Sequence, residues 1–167
     1  MKYFLVGLTM AISCAVHAEV GSRHTERAGG FSLCAPKGWI FKEFPGMKYQ
    51  IAFGPVTSEF SSNINVVDEA FKGALKDYVD ANLATLEKMM QDFRLIRRES
   101  LKTRGGVKME KLIISCTQKK YSLRQVFYFL PGPRGRQFVI TCSTVSDNGE
   151  QLDPIFEESV RTFEFTQ

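Results

Sequence analysis

Alternating apolar and polar residues predict short strands in the first part of the chain. One alternating set ends at Pro36 and favours a strand over residues 31–36. Two more short strands are expected at residues 49–53 and 63–67. Residues 19–30 are polar and end in two glycines, so we expect them to form a flexible lead-in to the folded part.

The apolar spacing changes at residue 75, from every second residue to every third or fourth. This periodicity is typical of one face of an α-helix, here about five turns long. The apolar positions on that face are Leu75, Tyr78, Val79, Leu83, Leu86, Met90 and Phe93.

The rest of the chain has the pattern of an antiparallel meander followed by a helix. Turn-forming residues separate four apolar segments, at 94–102, 109–117, 123–130 and 137–145. The closing helix is expected to begin with Asp153 as N-cap and Pro154 in its first position. This order predicts an α+β fold with an antiparallel sheet. Because several strands are apolar at both odd and even positions, we expect helices on both faces of that sheet.

The first 18 residues have the features of a secretory signal peptide. Lys2 precedes an apolar run that stops at Val16, and Ala18 offers a cleavage point. The run is shorter than the roughly 20 residues of a membrane-spanning helix. The protein is therefore expected to be periplasmic or secreted, with a single domain over residues 31–167 and no transmembrane helix after cleavage. A minor alternative takes Cys14 as the lipidated residue of a loose bacterial lipoprotein box.

Three cysteines remain after cleavage, and their pairing is left open by the sequence. The predicted turns place Cys116 and Cys142 on strands that flank a third strand. Two strand spacings, about 9.5 Å, exceed the Cα separation of about 7 Å that a disulfide tolerates. A disulfide should therefore join Cys34 to Cys116 or to Cys142, and three free buried thiols are the other outcome.

Histidine-based catalysis is disfavoured because the mature chain keeps a single histidine, His24, in the expected lead-in. The sequence also has no CxxC pair, GxSxG or HExxH motif, or glycine-rich phosphate loop. We therefore predict no catalytic, cofactor-binding or metal-binding residues and no cofactor. A histidine-free hydrolase that uses Asp68 or Glu157 ranks third among the functions considered.

The charges are unevenly distributed along the chain. The net charge is +4, and +3 after cleavage removes Lys2, which is too small to indicate a nucleic-acid partner. Residues 94–136, however, hold twelve lysines and arginines against Glu99 and Glu110, a local charge of +10. Internal pairing with acidic helices is the simpler explanation. The functional alternative is contact with an acidic partner, for which the best candidates lie in the predicted turns: Lys119, Lys120, Arg134 and Arg136.

Several short motifs resemble the PsbP-like and DcrB-like domains, which share the Mog-type fold. The segment 31–39 matches their opening pattern F-x-(I/L)-x-x-P-x-G-W, and residues 60–67, 125–128 and 156–165 also fit. The resemblance implies an α-β-α sandwich around an antiparallel sheet. It further implies a non-catalytic role, because those relatives are mostly accessory proteins: a photosystem extrinsic subunit, a Ran-binding import factor, envelope lipoproteins and chaperones of secreted effectors. They share no catalytic residues that could be carried over.

The leading hypothesis is an exported, non-catalytic accessory or adaptor protein. It would bind a protein partner or the anionic envelope surface through the sheet and its turns. The alternative is a protein that binds a small or apolar ligand between the sheet and the long helix.

Overall fold

Ten strands and two α-helices make up the part of the chain that the computed structural model describes, residues 19–166. The predicted signal peptide and Cys14 lie outside these residues. The elements are β1 (Val20–Glu26), β2 (Phe31–Pro36), β3 (Ile40–Lys42), β4 (Ile51–Thr57), β5 (Phe60–Ala70), α1 (Leu75–Met89), β6 (Gln91–Lys102), β7 (Lys108–Gln118), β8 (Tyr121–Pro131), β9 (Arg136–Val145), α2 (Gly149–Arg161) and β10 (Glu164–Phe165).

The strands form two antiparallel sheets. The large sheet has seven strands in the order β3-β4-β5-β9-β8-β7-β6, and the small sheet has the order β1-β2-β10. The predicted meander is the β6–β9 half of the large sheet, in which each strand pairs with its neighbour in sequence. The predicted α+β class and antiparallel sheet are confirmed.

Each face of the large sheet is covered by its own hydrophobic core. On one face, Leu112 and Phe127 pack with Tyr78 and Val79 of α1. On the other, residues of alternate parity such as Val126 pack with α2 and the small sheet. The double-sided apolar pattern of the meander strands arises from this arrangement, because adjacent side chains in a strand point to opposite faces.

The first helix is shorter than predicted. It ends at Met89, because Met90 has extended backbone angles and the next residue begins β6. Phe93 belongs to that strand but still packs in the core beneath α1. Because β6 packs in the same core as α1, its Phe93 continues the apolar pattern of the helix in the sequence, and the helix was therefore predicted too long.

The closing helix begins earlier than predicted. It starts at Gly149, and Pro154 lies inside it. The assignment of Asp153 as N-cap is therefore wrong. Its carboxylate instead pairs with Arg124 of β8, at 2.7 Å between Nη2 and Oδ2.

The segment expected to be a flexible lead-in is largely a strand. Residues 20–26 form β1, which pairs with β2 so that Glu26 lies opposite Phe31. Gly29 and Gly30 form the turn between the two strands, and Gly30 takes a φ of +65°, which favours glycine. His24 is thus held in a strand, where its ring stacks on Phe41 at 4.1 Å.

The three cysteines within residues 19–166 are buried and free. Cys116 lies in the core beneath α1, whereas Cys142 lies in the core beneath α2. They face opposite sides of the sheet and are separated by β8. Neither pairing of Cys34 is formed.

Candidate functional site: a basic cleft

The four basic turn residues singled out from the sequence lie at two opposite ends of the sheet. Lys119 and Lys120 follow β7, whereas Arg134 and Arg136 follow β8. Between them lie the 11 residues of β8, which span about 35 Å. The structure therefore does not bring all four residues into one patch.

The two lysines lie on an open surface. Lys120 forms an ion pair with Glu59, and its ammonium lies 5.3 Å from the centre of the Tyr121 ring. Lys119 is exposed and adopts a positive φ of 54°. These contacts stabilise the turn and do not form a concave site.

The two arginines line a cleft of about 1030 Å³ between the small sheet and one end of the large sheet. Arg27 of the β1–β2 turn and Lys48 of the loop before β4 line the same cleft. We call this site the basic cleft. No local sequence pattern marks Arg27, in the expected lead-in, or Lys48 as a site residue.

The carboxylate of Asp68, in β5, organises the cleft. Its side chain is only 3% exposed. Oδ1 accepts hydrogen bonds from Lys48 Nζ at 2.8 Å and from the Tyr49 hydroxyl at 2.6 Å, while Arg136 Nε donates to Oδ2. Burial favours a raised pKa for Asp68, but the hydrogen bonds from Arg136, Lys48 and Tyr49 outweigh it and lower the pKa to about 2. Asp68 is therefore ionised and holds Lys48 and Arg136 in place.

The other two cations of the basic cleft have no such anchor. Within residues 19–166, neither Arg27 nor Arg134 has a carboxylate within 4.0 Å. Both are exposed. The charged residues that line the cleft are four cations and Asp68, so the cleft has a net charge of +3.

Aromatic rings form the rest of the wall. Tyr49, Phe138 and Phe165 line the basic cleft, and the last two rings lie 5.1 Å apart. Lys48 sits 4.8 Å from the centre of the Tyr49 ring. Because cations and apolar rings share one concavity, the cleft is suited to a group that carries negative charge beside an apolar portion.

A second, smaller groove lies between α1 and the sheet. It has a volume of about 270 Å³ and is lined by residues that include Val67, Tyr78, Leu86 and Phe127. Ligand sites usually have about 300–1,000 Å³. The groove is thus close to the lower limit for a small ligand.

The carboxylates considered for hydrolysis are held by cations. Burial favours a raised pKa for Glu157, but hydrogen bonds from Lys111 and Arg161 lower it below its ordinary value. Glu158 pairs with Arg104 at 2.7 Å. Among the residues that the structure describes, no group of three or more His, Cys, Asp or Glu side chains is arranged to hold a metal ion.

The two sheets and their helices define the PsbP-like, Mog-type α+β fold. The structure aligns with that of cyanobacterial PsbP (CyanoP) from Synechocystis sp. PCC 6803, with a TM-score of 0.62 and 14% identity over 96% of this chain and 98% of the other. It aligns with LpqN, involved in cell envelope biogenesis of Mycobacterium tuberculosis, with a TM-score of 0.64 and 15% identity over 90% and 88% of the two chains. It also aligns with the Saccharomyces cerevisiae Ran-binding protein Mog1p, with a TM-score of 0.62 and 11% identity over 90% of this chain and 97% of the other.

These similarities confirm, at the level of the fold, the resemblance that the sequence motifs indicated. No protein-family model and no curated protein matches the chain. TM-scores above 0.6 at such low identities establish a common fold and nothing more. The function must therefore be argued from the site.

Proposed function

We propose that this protein is an exported, non-catalytic accessory protein that binds an acidic segment of a partner protein in the basic cleft. The observation that carries the proposal is the presence of Arg27 and Arg134, neither of which has a carboxylate within 4.0 Å among residues 19–166, beside two cations that Asp68 holds in place. A carboxylate that enters the cleft meets guanidinium groups, which bind carboxylates in a bidentate manner. The aromatic rings offer a surface for apolar residues next to that carboxylate.

The shape of the site favours a protein segment over the envelope surface. Binding to anionic lipid headgroups relies on clusters of about four to eight exposed basic residues. Here the cations line a concave cleft, and two of them already pair with Asp68. A protruding acidic segment fits this geometry better than a flat layer of headgroups.

The state of the carboxylates supports a non-catalytic role. A general acid works best when its pKa lies near the operating pH. The pKa of Asp68 is lowered to about 2, and that of Glu157 is also lowered. Neither side chain carries a proton to donate at neutral pH.

Export is proposed from the first 18 residues of the sequence. Within residues 19–166 the structure contains no helix with the length and apolarity needed to cross a bilayer. The mass of the protein recovered from cells tests the proposal. A chain that begins at Glu19 supports simple cleavage, a lipidated chain that begins at Cys14 supports an anchored form, and an intact Met1 contradicts export.

Cross-linking and pull-down from the native cell envelope tests the binding site. We expect the double variant Arg27→Gln and Arg134→Gln to lose a partner that the wild type captures. The matched control is Lys88→Gln with Lys119→Gln, which removes the same charge from exposed sites outside the cleft. Equal capture by both variants would contradict the proposal. Binding of anionic vesicles that only the cleft variant loses would replace the protein partner with the envelope surface.

The second candidate function rests on the groove beneath α1. The groove is partly apolar, and Val67 in it is exposed although it belongs to a central strand. A small apolar ligand would cover this residue. Native mass spectrometry of the purified protein would detect such a ligand, and Val67→Lys should abolish its binding.

A further inference from the structure

Strand β6 is a long strand at one edge of the large sheet, and its outer side is exposed. β6 has 12 residues and ends the large sheet, whereas the opposite edge, β3, has three residues. Within residues 19–166, no strand pairs with the outer side of β6. A free edge presents unpaired N–H and C=O groups and can accept a further strand.

The side chains of β6 separate into paired and unpaired charges. Arg98 bonds with Asp80 at 2.5 Å and with Glu110 at 3.3 Å, and Glu99 bonds with Lys111 at 2.8 Å. These charges are satisfied by the protein itself.

Three other cations of β6 are exposed and, among the residues that the structure describes, have no carboxylate within 4.0 Å: Arg94, Arg97 and Lys102. Lys102 also lies directly opposite Lys108 of β7. Like charges in this position repel each other. An acidic side chain close to Lys102 would relieve that repulsion.

Two apolar residues are exposed on the same strand. Leu95 is 43% exposed and Ile96 is 47% exposed, and they lie between Arg94 and Arg97. Edge strands that avoid pairing usually carry charges in place of such residues. Because Arg97 and Lys102 point to opposite faces of the strand, this combination is suited to an extended segment that carries acidic residues on both of its faces, with apolar residues between them.

The pairing of β6 with β7 shows which part of the edge is regular. Bulges interrupt the register between Gln91 and Arg94 and between Leu95 and Arg97, whereas residues 97–102 pair without interruption. A further strand would therefore form its main-chain hydrogen bonds with residues 97–102. Its end would extend over Leu95 and Ile96.

A second copy of this chain is a poor occupant of the edge. Pairing of β6 with β6 of another molecule would bring three exposed cations of each copy, Arg94, Arg97 and Lys102, to one contact. Among residues 19–166 none of these cations has a carboxylate within 4.0 Å, so two copies would repel each other at the contact. Charge complementarity favours an acidic strand.

We propose that the β6 edge, residues 97–102, binds an extended acidic segment of a partner protein by adding it to the large sheet as an eighth strand. Recognition combines main-chain hydrogen bonds to β6 with ion pairs to Arg97 and Lys102 and apolar contact with Ile96. This surface is independent of the basic cleft, and the cleft variants leave it intact.

Fluorescence anisotropy with a labelled peptide that repeats Glu-Glu-Val-Val, which places glutamates on both faces of the strand, tests the proposal on the protein expressed from the full chain. Two N-methylated versions of the peptide carry the methyl groups at odd or at even residues. Only one set of N–H groups faces the edge of β6, so one version should bind at least about tenfold more weakly than the unmethylated peptide and the other should bind nearly as well.

Protein variants then locate the contact. Arg97→Glu with Lys102→Glu should weaken peptide binding by at least about tenfold. Lys119→Glu with Lys88→Glu, which makes the same charge change away from residues 97–102, should leave it nearly unchanged.

Four results would overturn the proposal. They are no binding at millimolar peptide, equal effects of the two methylated versions, equal effects of the two protein variants, and a dimer of this chain that buries β6 and excludes the peptide. Circular dichroism of each variant verifies that the fold is retained.

Discussion

Asp68 shows how a single carboxylate gains its role from the groups around it. In the sequence it stands at the end of a short predicted strand, next to Glu69, and was considered as a hydrolytic residue. In the structure it is nearly buried and accepts hydrogen bonds from Lys48, Tyr49 and Arg136. Donors from two distant parts of the chain, the adjacent Lys48 and Tyr49 and the later Arg136, make it an anchor of the basic cleft, which no local pattern around residue 68 records.

The Asp68→Asn variant should be less stable at neutral pH. The pKa of Asp68 is lowered from 3.8 to about 2, so the ionised form contributes about 2 kcal/mol to the free energy of unfolding. Because the folded-state pKa is the lower one, this contribution is complete above about pH 4 and is lost as the pH falls through about 2.

Urea unfolding at several pH values measures this effect. The difference in unfolding free energy between wild type and Asp68→Asn should be largest at pH 7 and shrink on acidification. Glu87→Gln, an exposed substitution on α1, serves as the control. A difference that stays constant from pH 7 to pH 2 would show that Asp68 is not held ionised.

Gly54 is required by the contact of β4 with the single tryptophan. A Cβ atom on Gly54 would lie 2.3 Å from the indole of Trp39, and that ring also packs edge-on against Phe156 of α2. These contacts place the Trp39 ring against the core.

Gly54→Ala should lower the free energy of unfolding by about 1–3 kcal/mol, because the indole must move aside. The displaced ring should also emit at longer wavelength, and the signal is unambiguous because the chain has one tryptophan. Gly105→Ala is the matched control, since the nearest atom to its added Cβ is 3.7 Å away. Unchanged emission and stability would contradict the contact.

At the scale of elements, the strands of the meander were easier to predict than the helix ends or the strands before α1, of which β1 and β3 were not predicted. Strands β7, β8 and β9 agree with the predicted segments to within about two residues, because turns and alternation mark them locally. Each of the two helices differs from its prediction at one end, α1 where it stops and α2 where it starts. Tertiary contacts account for this, since Phe93 continues the apolar pattern of α1 from a strand and Asp153 pairs with Arg124 in place of capping α2.

Asp153→Asn distinguishes these two roles of Asp153. Asparagine caps a helix about as well as aspartate, so a capping role predicts little change. Loss of the ion pair with Arg124 predicts a decrease of about 1–2 kcal/mol in the free energy of unfolding. The half-buried pair links β8 to α2, with Arg124 Nε 3.0 Å from Oδ1.

Chemical denaturation of a double-mutant cycle measures the coupling. In an Arg124→Gln background, Asp153→Asn should have little further effect, because the pair is already broken. Equal effects in both backgrounds would mean that Asp153 stabilises the protein through some other contact.

At the scale of the whole molecule, the cations between residues 94 and 136 form three groups: those paired within the protein, those at the two proposed binding sites and those at neither site. Half of the twelve cations between residues 94 and 136 pair with carboxylates of the described residues, which agrees with the simpler explanation offered from the sequence. These are Arg98, Arg104, Lys111, Lys120, Arg124 and Arg136. The other six have no carboxylate within 4.0 Å among residues 19–166: Arg94, Arg97 and Lys102 on the β6 edge, Arg134 in the basic cleft, and Lys108 and Lys119 at neither site. We propose that partners bind at the β6 edge and in the basic cleft.

The two-sided core also determines the chemistry of the cysteines. Burial raises the pKa of the Cys116 and Cys142 thiols, so neither forms a reactive thiolate at neutral pH. We expect iodoacetamide to leave Cys34, Cys116 and Cys142 unmodified in the native protein. In denaturant without a reductant, it should modify all three, as peptide mass spectrometry would show. Two cysteines that react only after reduction would reveal a disulfide.

The pattern of side chains was sufficient to predict the antiparallel meander, the α+β class and the need for cover on both faces of the sheet. These properties depend on residues that are close in sequence, because alternation and turn residues act locally. The basic cleft and the free edge depend on chain segments far apart: Arg27, Asp68 and Arg134 meet because the small sheet folds against the end of the large one. Which cations are neutralised and which remain free follows from that packing, since an ion pair requires two side chains to be adjacent in space, whatever their separation along the chain.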